Sequence, residues 1–246
     1  MKHAASIATA LARAFLMVRH ERSFLGVIWY ALGPIMMLVV VAALHRSSSL
    51  SGAPTLASLA IGLCCFSYFR SVTINISSAL RNSIGLLRNV TIPMSSVFGA
   101  RAIESAVIHG IELILVLVVA FATHAAGYGI FVYIVPFLLF TVIAISVGLV
   151  LAILASFADD IRNAWSYLVT IVMFASPVFV EVSRASRPWF MELNPMSSYI
   201  DASRAALEFG VFDWRSYIEL GLWGIALSLS AWFLLRRFGP TMIERL

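Results

Sequence analysis

Apolar residues in this chain gather into runs of membrane-spanning length, separated by short polar breaks. The first run, Val27 to Leu44, is entered through Phe24, Leu25 and Gly26 and carries Trp29 and Tyr30 where a membrane interface accepts amphipathic rings. Gly33 and Pro34 predict a bend in it. A serine-rich break starting at His45 leads to Pro54, which suits the first turn of the next helix. The second run, Ala57 to Leu80, can cross a bilayer, because ~20 residues at ~1.5 Å rise cover a ~30 Å hydrocarbon core. Its second half holds Arg70, Ser71, Thr73, Asn75, Ser77 and Ser78. Lipid cannot solvate these groups, so they are expected to face other helices or a water-filled path, leaving Leu59, Leu63, Phe66 and Ile74 for lipid or neighbours.

Four more spans follow: Ala100 to Ala122, Ile130 to Phe157, Ala164 to Val180 and Tyr217 to Leu235. The third span contains Glu104, His109 and Glu112; the two glutamates share a face, with His109 on the side of Glu112, and all three should point into the protein. An amphipathic loop, Arg81 to Pro93, joins spans two and three. In the longest connection, Glu181 to Trp214, Asn194 reads as the N-cap of a helix from Pro195 to Phe209 that Gly210 ends. His3 to Arg22 places Ile7, Leu11, Ala14, Phe15 and Val18 on one face and Thr9, Arg13 and His20 opposite, as expected of a helix lying on the cytoplasmic surface; a disordered leader is the alternative. The predicted fold is an all-α membrane protein with six transmembrane helices and one domain over 1–246. Within it, 1–24 form the interface helix, 27–236 the six-span body and 181–214 an external region.

Composition supports this reading: of 246 residues 61% are apolar and 12% charged, where soluble domains carry roughly a quarter. The net charge of +5 could suggest nucleic acid, but no soluble basic domain exists to bind it. Topology accounts for the charge instead. Eleven Lys and Arg residues fall on the side of the termini and five on the other, with Arg70 inside the membrane, which places both termini in the cytoplasm. The adjacent Cys64 and Cys65 match neither a zinc spacing nor a disulfide framework and read as packing residues. The basic residues Arg13, Arg19 and Arg22 interrupt any signal-peptide pattern, so the first apolar run is expected to be an uncleaved span. No internal repeat supports an inverted-repeat transporter.

The order of these features resembles the permease subunits of ABC type 2 exporters. A surface helix leads into Phe24, Leu25, Gly26, Val27, Ile28 and Trp29; the polar second span ends in Leu86, Leu87, Arg88, Asn89, Val90, Thr91, Ile92 and Pro93; and Asn194 and Pro195 precede Asp201, Arg204 and Gly210. The Phe69, Arg70, Ser71 stretch and the run Ala100 to Glu104 look closest to the capsule-polysaccharide export branch. The resemblance implies a pair of such chains around a central conduit in a bacterial inner membrane, driven by a separate ABC ATPase subunit. It further implies coupling to that subunit through Arg81, Leu86, Leu87, Arg88, Asn89 and Pro93, and re-entrant external gate helices over 188–209 with Trp189, Asn194, Pro195 and Arg204. A lipid-linked polysaccharide would be the cargo, membrane lipid the surroundings, and a periplasmic co-polymerase and outer-membrane export proteins further partners.

The chain has no GxxxxGK[ST] phosphate loop, which agrees with ATP and Mg being bound by the partner and no cofactor by this chain. Sugar polymers present hydroxyls and apolar ring faces, and anionic ones favour arginine; Phe66, Tyr68, Phe69, Arg70, Thr73 and Asn75 are therefore expected to line the path, with Trp29, Tyr30, Trp165 and Tyr167 as weaker candidates. Several readings stay open beside this one. Arg70 could instead pair with Glu104 or Glu112, and His109 could serve as a proton relay or as a plain interhelical hydrogen bond. Other cargoes are O-antigen, teichoic acid or small drugs, and other classes are a membrane transferase using Asp159 and Asp160 or a non-transporting envelope scaffold.

Overall fold

Every element among the described residues is helical, in keeping with the apolar runs that predicted them. The computed structural model describes residues 2–20, scattered positions between 32 and 43, and residues 54–90, 92–122 and 129–244. Trp29 and Tyr30 lie outside them, as does most of the first apolar run. The helices are α1 (Lys2–His20), α2 (Leu56–Ser77), α3 (Ile84–Asn89), α4 (Met94–Ala122), α5 (Ile130–Phe157), α6 (Asp160–Phe174), α7 (Trp189–Glu192), α8 (Pro195–Phe209) and α9 (Trp214–Glu244). Four of them, α2, α4, α5 and α9 up to Gly239, are long and apolar enough to cross a membrane. Where a fifth span over Ala164 to Val180 was expected, α6 has 15 residues and rises ~22 Å before a turn, short of the ~30 Å core.

The bundle is built around α2. Its most apolar window is 78% buried inside the chain, against 17% for α9, so α2 is the axis and α9 the periphery. On α9, Ile218, Leu222, Ile225, Leu229 and Phe233 form one exposed apolar stripe of the kind lipid covers, and Arg236 ends it with its guanidinium over the Trp232 ring at 4.3 Å. Around α2 pack α4, α5, α6 and α8, and α9 lies against α5 and α8. Pro136 inside α5 cannot donate to the Val132 carbonyl one turn back; the Tyr217 hydroxyl of α9 donates to that carbonyl instead, at 3.3 Å.

Two close approaches depend on glycine. A Cβ on Gly129, at the start of α5, would overlap the Ala206 carbonyl of α8. One on Gly148 would lie 2.8 Å from the Ile76 Cβ, so α2 and α5 meet there nearly backbone to backbone.

The expected apolar face of α1 is largely the one that docks on the start of α4: Ile7, Leu11 and Phe15 are half-buried beside the buried Ala8 and Ala12, and Thr9 and Arg13 are exposed, while Ala14 and Val18 point out. Small residues allow this contact: Ala8 faces Gly99, the Ser96 hydroxyl donates to the Ala4 carbonyl at 3.1 Å, and the Arg101 guanidinium covers the Phe15 ring at 3.7 Å.

Candidate functional site

The polar half of α2 divides into two faces that the sequence does not distinguish. Phe66, Tyr68, Phe69 and Thr73, expected on the path, are buried within the chain. Tyr68 hydrogen-bonds Thr141 at 2.7 Å; because the Thr141 hydroxyl donates to the Phe137 carbonyl at 2.7 Å, the tyrosine is the donor. Phe69 lies against Phe140 and Trp165, and the Trp165 indole N–H donates to Thr73 at 3.0 Å. Tyr68, Phe69 and Thr73 hold α2 to α5 and α6, and all four are buried within a single chain.

The outward face is a different set. Ser67, Arg70, Ser71, Ile74, Asn75 and Ser78 recur every three to four residues and are the only incompletely buried positions between Ala57 and Leu80. Arg70 is exposed, and among the described residues no ion pair joins it to Glu104 or Glu112. Glu104 is held by Arg101 at 2.7 Å and Glu112 accepts from Ser67 at 2.6 Å. The Asn75 amide donates to Ser105 at 3.0 Å and to Ser71 at 3.2 Å. Alternation between apolar and polar was the signal that could have separated the stripe, but the polar residues fall on both faces.

Behind the stripe, His109 hydrogen-bonds Tyr133 at 2.6 Å, and Tyr133 bonds Tyr199 at 2.5 Å. This joins α4 to α5 and α8, as an interhelical hydrogen bond would.

One end of the bundle carries a charged layer. Asn194 caps α8 by accepting from the Met196 N–H at 3.0 Å, Pro195 follows at the first position, and Gly210 ends the helix at φ 67°. Arg204 is buried and donates to the carbonyls of Ser58 at 3.3 Å and Val178 at 3.2 Å, tying α8 to α2 and to the turn after α6. Arg184 and Arg187 both grip Asp201, at 3.2 and 2.7 Å, and Arg184 also reaches Asp213 at 2.6 Å. These groups line a cavity of about 450 Å³ together with Glu181 and Glu208. Burial first, and Glu181 second, push the Glu208 carboxyl above the usual range, against the opposing pull of Arg204 and of the Thr55 hydroxyl, which donates to it at 3.3 Å. Trp189 stands exposed beside Phe190.

At the opposite end Arg81 meets Asp159 at 3.1 Å, and Arg162 binds the same carboxylate while donating to the Ser77 carbonyl at 3.3 Å. The loop after α2 is thereby clasped to the α5–α6 turn around a cavity of about 260 Å³. Two arginines on Asp159 leave it ill-suited to a magnesium-dependent transferase. Within the loop Leu86 is half-buried, Asn89 and Pro93 are exposed, and the Asn89 amide donates to the Gly85 carbonyl at 2.8 Å. Leu87 and Arg88 belong to α3, but their side chains lie outside the described residues.

Residues 6–207 match the family model described as ABC-2 type transporter. The chain belongs to that family. Its apolar helices make it an integral membrane protein and a transport component, and the family implies an ABC ATPase as partner. No curated protein is similar enough to the chain to add to this.

Proposed function

We propose that the chain is the permease subunit of an ATP-driven exporter that moves a lipid-linked capsular or similar surface polysaccharide across the bacterial inner membrane. It acts as a pair of copies with six spans each, both termini in the cytoplasm, and the Trp189 to Phe209 region as external gate. The observation that carries this reading is the outward stripe Ser67, Arg70, Ser71, Asn75 and Ser78 on the most buried helix of the bundle. Hydrocarbon would leave those groups unsolvated, whereas sugar hydroxyls and anionic substituents match them. In this mechanism closure of the ATPase dimer pushes the 81–93 loop. The push passes through Arg81, Asp159 and Arg162 to the end of α2, at the Ser77 carbonyl, and to the α5–α6 turn together.

Two measurements test the proposal. Arg70→Ala should reduce surface polysaccharide at constant permease abundance; an unchanged polymer coat removes Arg70 from the path. An ABC ATPase should co-purify with the tagged chain, and Arg88→Glu should weaken its recovery. A folded, monodisperse chain recovered without an ATPase would speak for an envelope scaffold. Sensitivity to apolar toxins on deletion, with surface glycan intact, would speak for drug export.

A further inference from the structure

Directly behind the outward stripe, three metal-ligating side chains of different chemistry converge. Cys64 comes from α2, and His109 and Glu112, three residues apart, come from one face of α4. Their donor atoms all lie within 4.8 Å of one another, and the residues are only 4%, 2% and 4% exposed. The gaps between them are informative. Glu112 Oε2 stands 3.8 Å from His109 Nδ1, too far for a hydrogen bond, and Cys64 Sγ stands 3.6 Å from the same nitrogen, within reach of a weak S–H···N bond. Nitrogen and sulfur bound at ~2.0 and ~2.3 Å to one tetrahedral zinc ion are themselves ~3.5 Å apart. The Cys64–His109 spacing is thus also that of two donors on one cation, and the Glu112–His109 gap is left without a direct bond.

The supporting groups agree with this. Tyr133 sits on His109 Nε2 at 2.6 Å and is held by Tyr199 at 2.5 Å, so a proton on Nε2 leaves the Nδ1 lone pair aimed at Cys64 and Glu112. Ser67 donates to Glu112 Oε1 at 2.6 Å, leaving Oε2 to turn toward the cluster. Charge agrees as well: no lysine or arginine forms an ion pair with Glu112 among the described residues, and a carboxylate this deeply buried needs a proton or a cation. A divalent ion with one thiolate, one carboxylate and one neutral imidazole has zero net charge, the least costly state in a low-dielectric interior. The mixed sulfur, nitrogen and oxygen donors select zinc over magnesium or calcium, which take oxygen alone.

We propose that Cys64, His109 and Glu112 form a buried zinc site that pins α2 to α4. The proposal departs from the expectation that the chain holds no metal or cofactor of its own. Because α2 also carries the outward stripe, the ion fixes the back of the transport helix.

The test uses the full chain purified in mild detergent. Elemental analysis should find roughly one zinc per chain, and exchange for cobalt should produce thiolate charge-transfer absorption. Cys64→Ser should abolish the charge-transfer band. Cys65→Ser should keep it, since that thiol faces Ser203 at 3.4 Å. Tyr133→Phe should weaken metal binding roughly 10- to 100-fold. Should the Cys64 variant not fold, chelator should still lower the melting temperature of the unmodified chain and added zinc should restore it. A folded, monodisperse chain that takes up neither zinc nor cobalt overturns the site. So does a charge-transfer band that survives in Cys64→Ser; the cluster would then be a hydrogen-bonded core.

Discussion

Arg204 illustrates how one buried residue can organise an end of the bundle. Its planar guanidinium donates to two carbonyls from different segments, Ser58 in α2 and Val178 in the turn after α6, and so ties the two together. Arg204→Ala should cost about 1–3 kcal/mol, read as a lower melting temperature in detergent, because it takes the donor from the Val178 carbonyl and removes a buried tie between α8 and α2. Arg204→Lys should recover little of that loss, since a point charge cannot span both acceptors. The neighbouring Glu208 gives a pH signature. Its carboxyl is held above the usual range, so the folded chain binds the proton more tightly than the unfolded one. The associated stability is complete at pH below the ordinary glutamate value of ~4.3 and is lost as pH rises through the elevated one. Glu208→Gln should therefore match the wild type in acid and become increasingly the more stable of the two as pH rises. A constant difference across pH would remove Glu208 as its source.

At the scale of elements, local chemistry accounts for α8 almost completely. Asn194, Pro195 and Gly210 occupy the cap, first-turn and left-handed positions that their side chains favour, and all three were legible in the sequence. How elements meet was less legible. Gly129 and Gly148 look like ordinary residues flanking or inside an apolar run, yet each lets two backbones touch. Gly129→Ala should dislodge α8 from α5 and sharply reduce the folded fraction, measured by size-exclusion of the detergent-solubilised chain. Gly148→Ala meets the Ile76 Cβ, which moves only with the α2 backbone, and should cost about 1–3 kcal/mol by pushing α2 and α5 apart. On α1 the pattern found Ile7, Leu11 and Phe15 on the docking side but missed that Ala8 and Ala12 sit at its centre and that Val18 points out, because a small residue lets Ala8 approach Gly99.

For the whole molecule, the decisive asymmetry is that the central helix α2 keeps one polar stripe turned outward while the peripheral α9 turns out an apolar one. Under the proposed function the first stripe faces a second copy or its cargo and the second faces lipid. Cys64 and Cys65 are buried, so Arg70→Cys adds a thiol at the one fully exposed position of the stripe. Mild oxidation should link two chains through it in membranes, while Leu222→Cys should stay monomeric. Equal cross-linking at both positions, or none at Arg70→Cys with the thiol open only to lipid-soluble reagents, would contradict the paired arrangement.

Composition and the length of the apolar runs by themselves determined that this is a helical membrane protein, because no soluble core can bury so much apolar surface and no other regular structure satisfies a backbone within one segment in lipid. Sequence-local chemistry likewise determined the caps of α8 and the helicity of the second, third and fourth apolar runs. Only the tertiary structure decided which side of α2 is polar toward the outside, that Phe66, Tyr68, Phe69 and Thr73 are buried within the chain, and that Cys64 meets His109 and Glu112, 45 and 48 positions further on. Those outcomes depend on how each helix is rotated about its own axis. In a chain this apolar the rotation is set by where small residues let backbones approach, and hydropathy along a single helix does not carry that information.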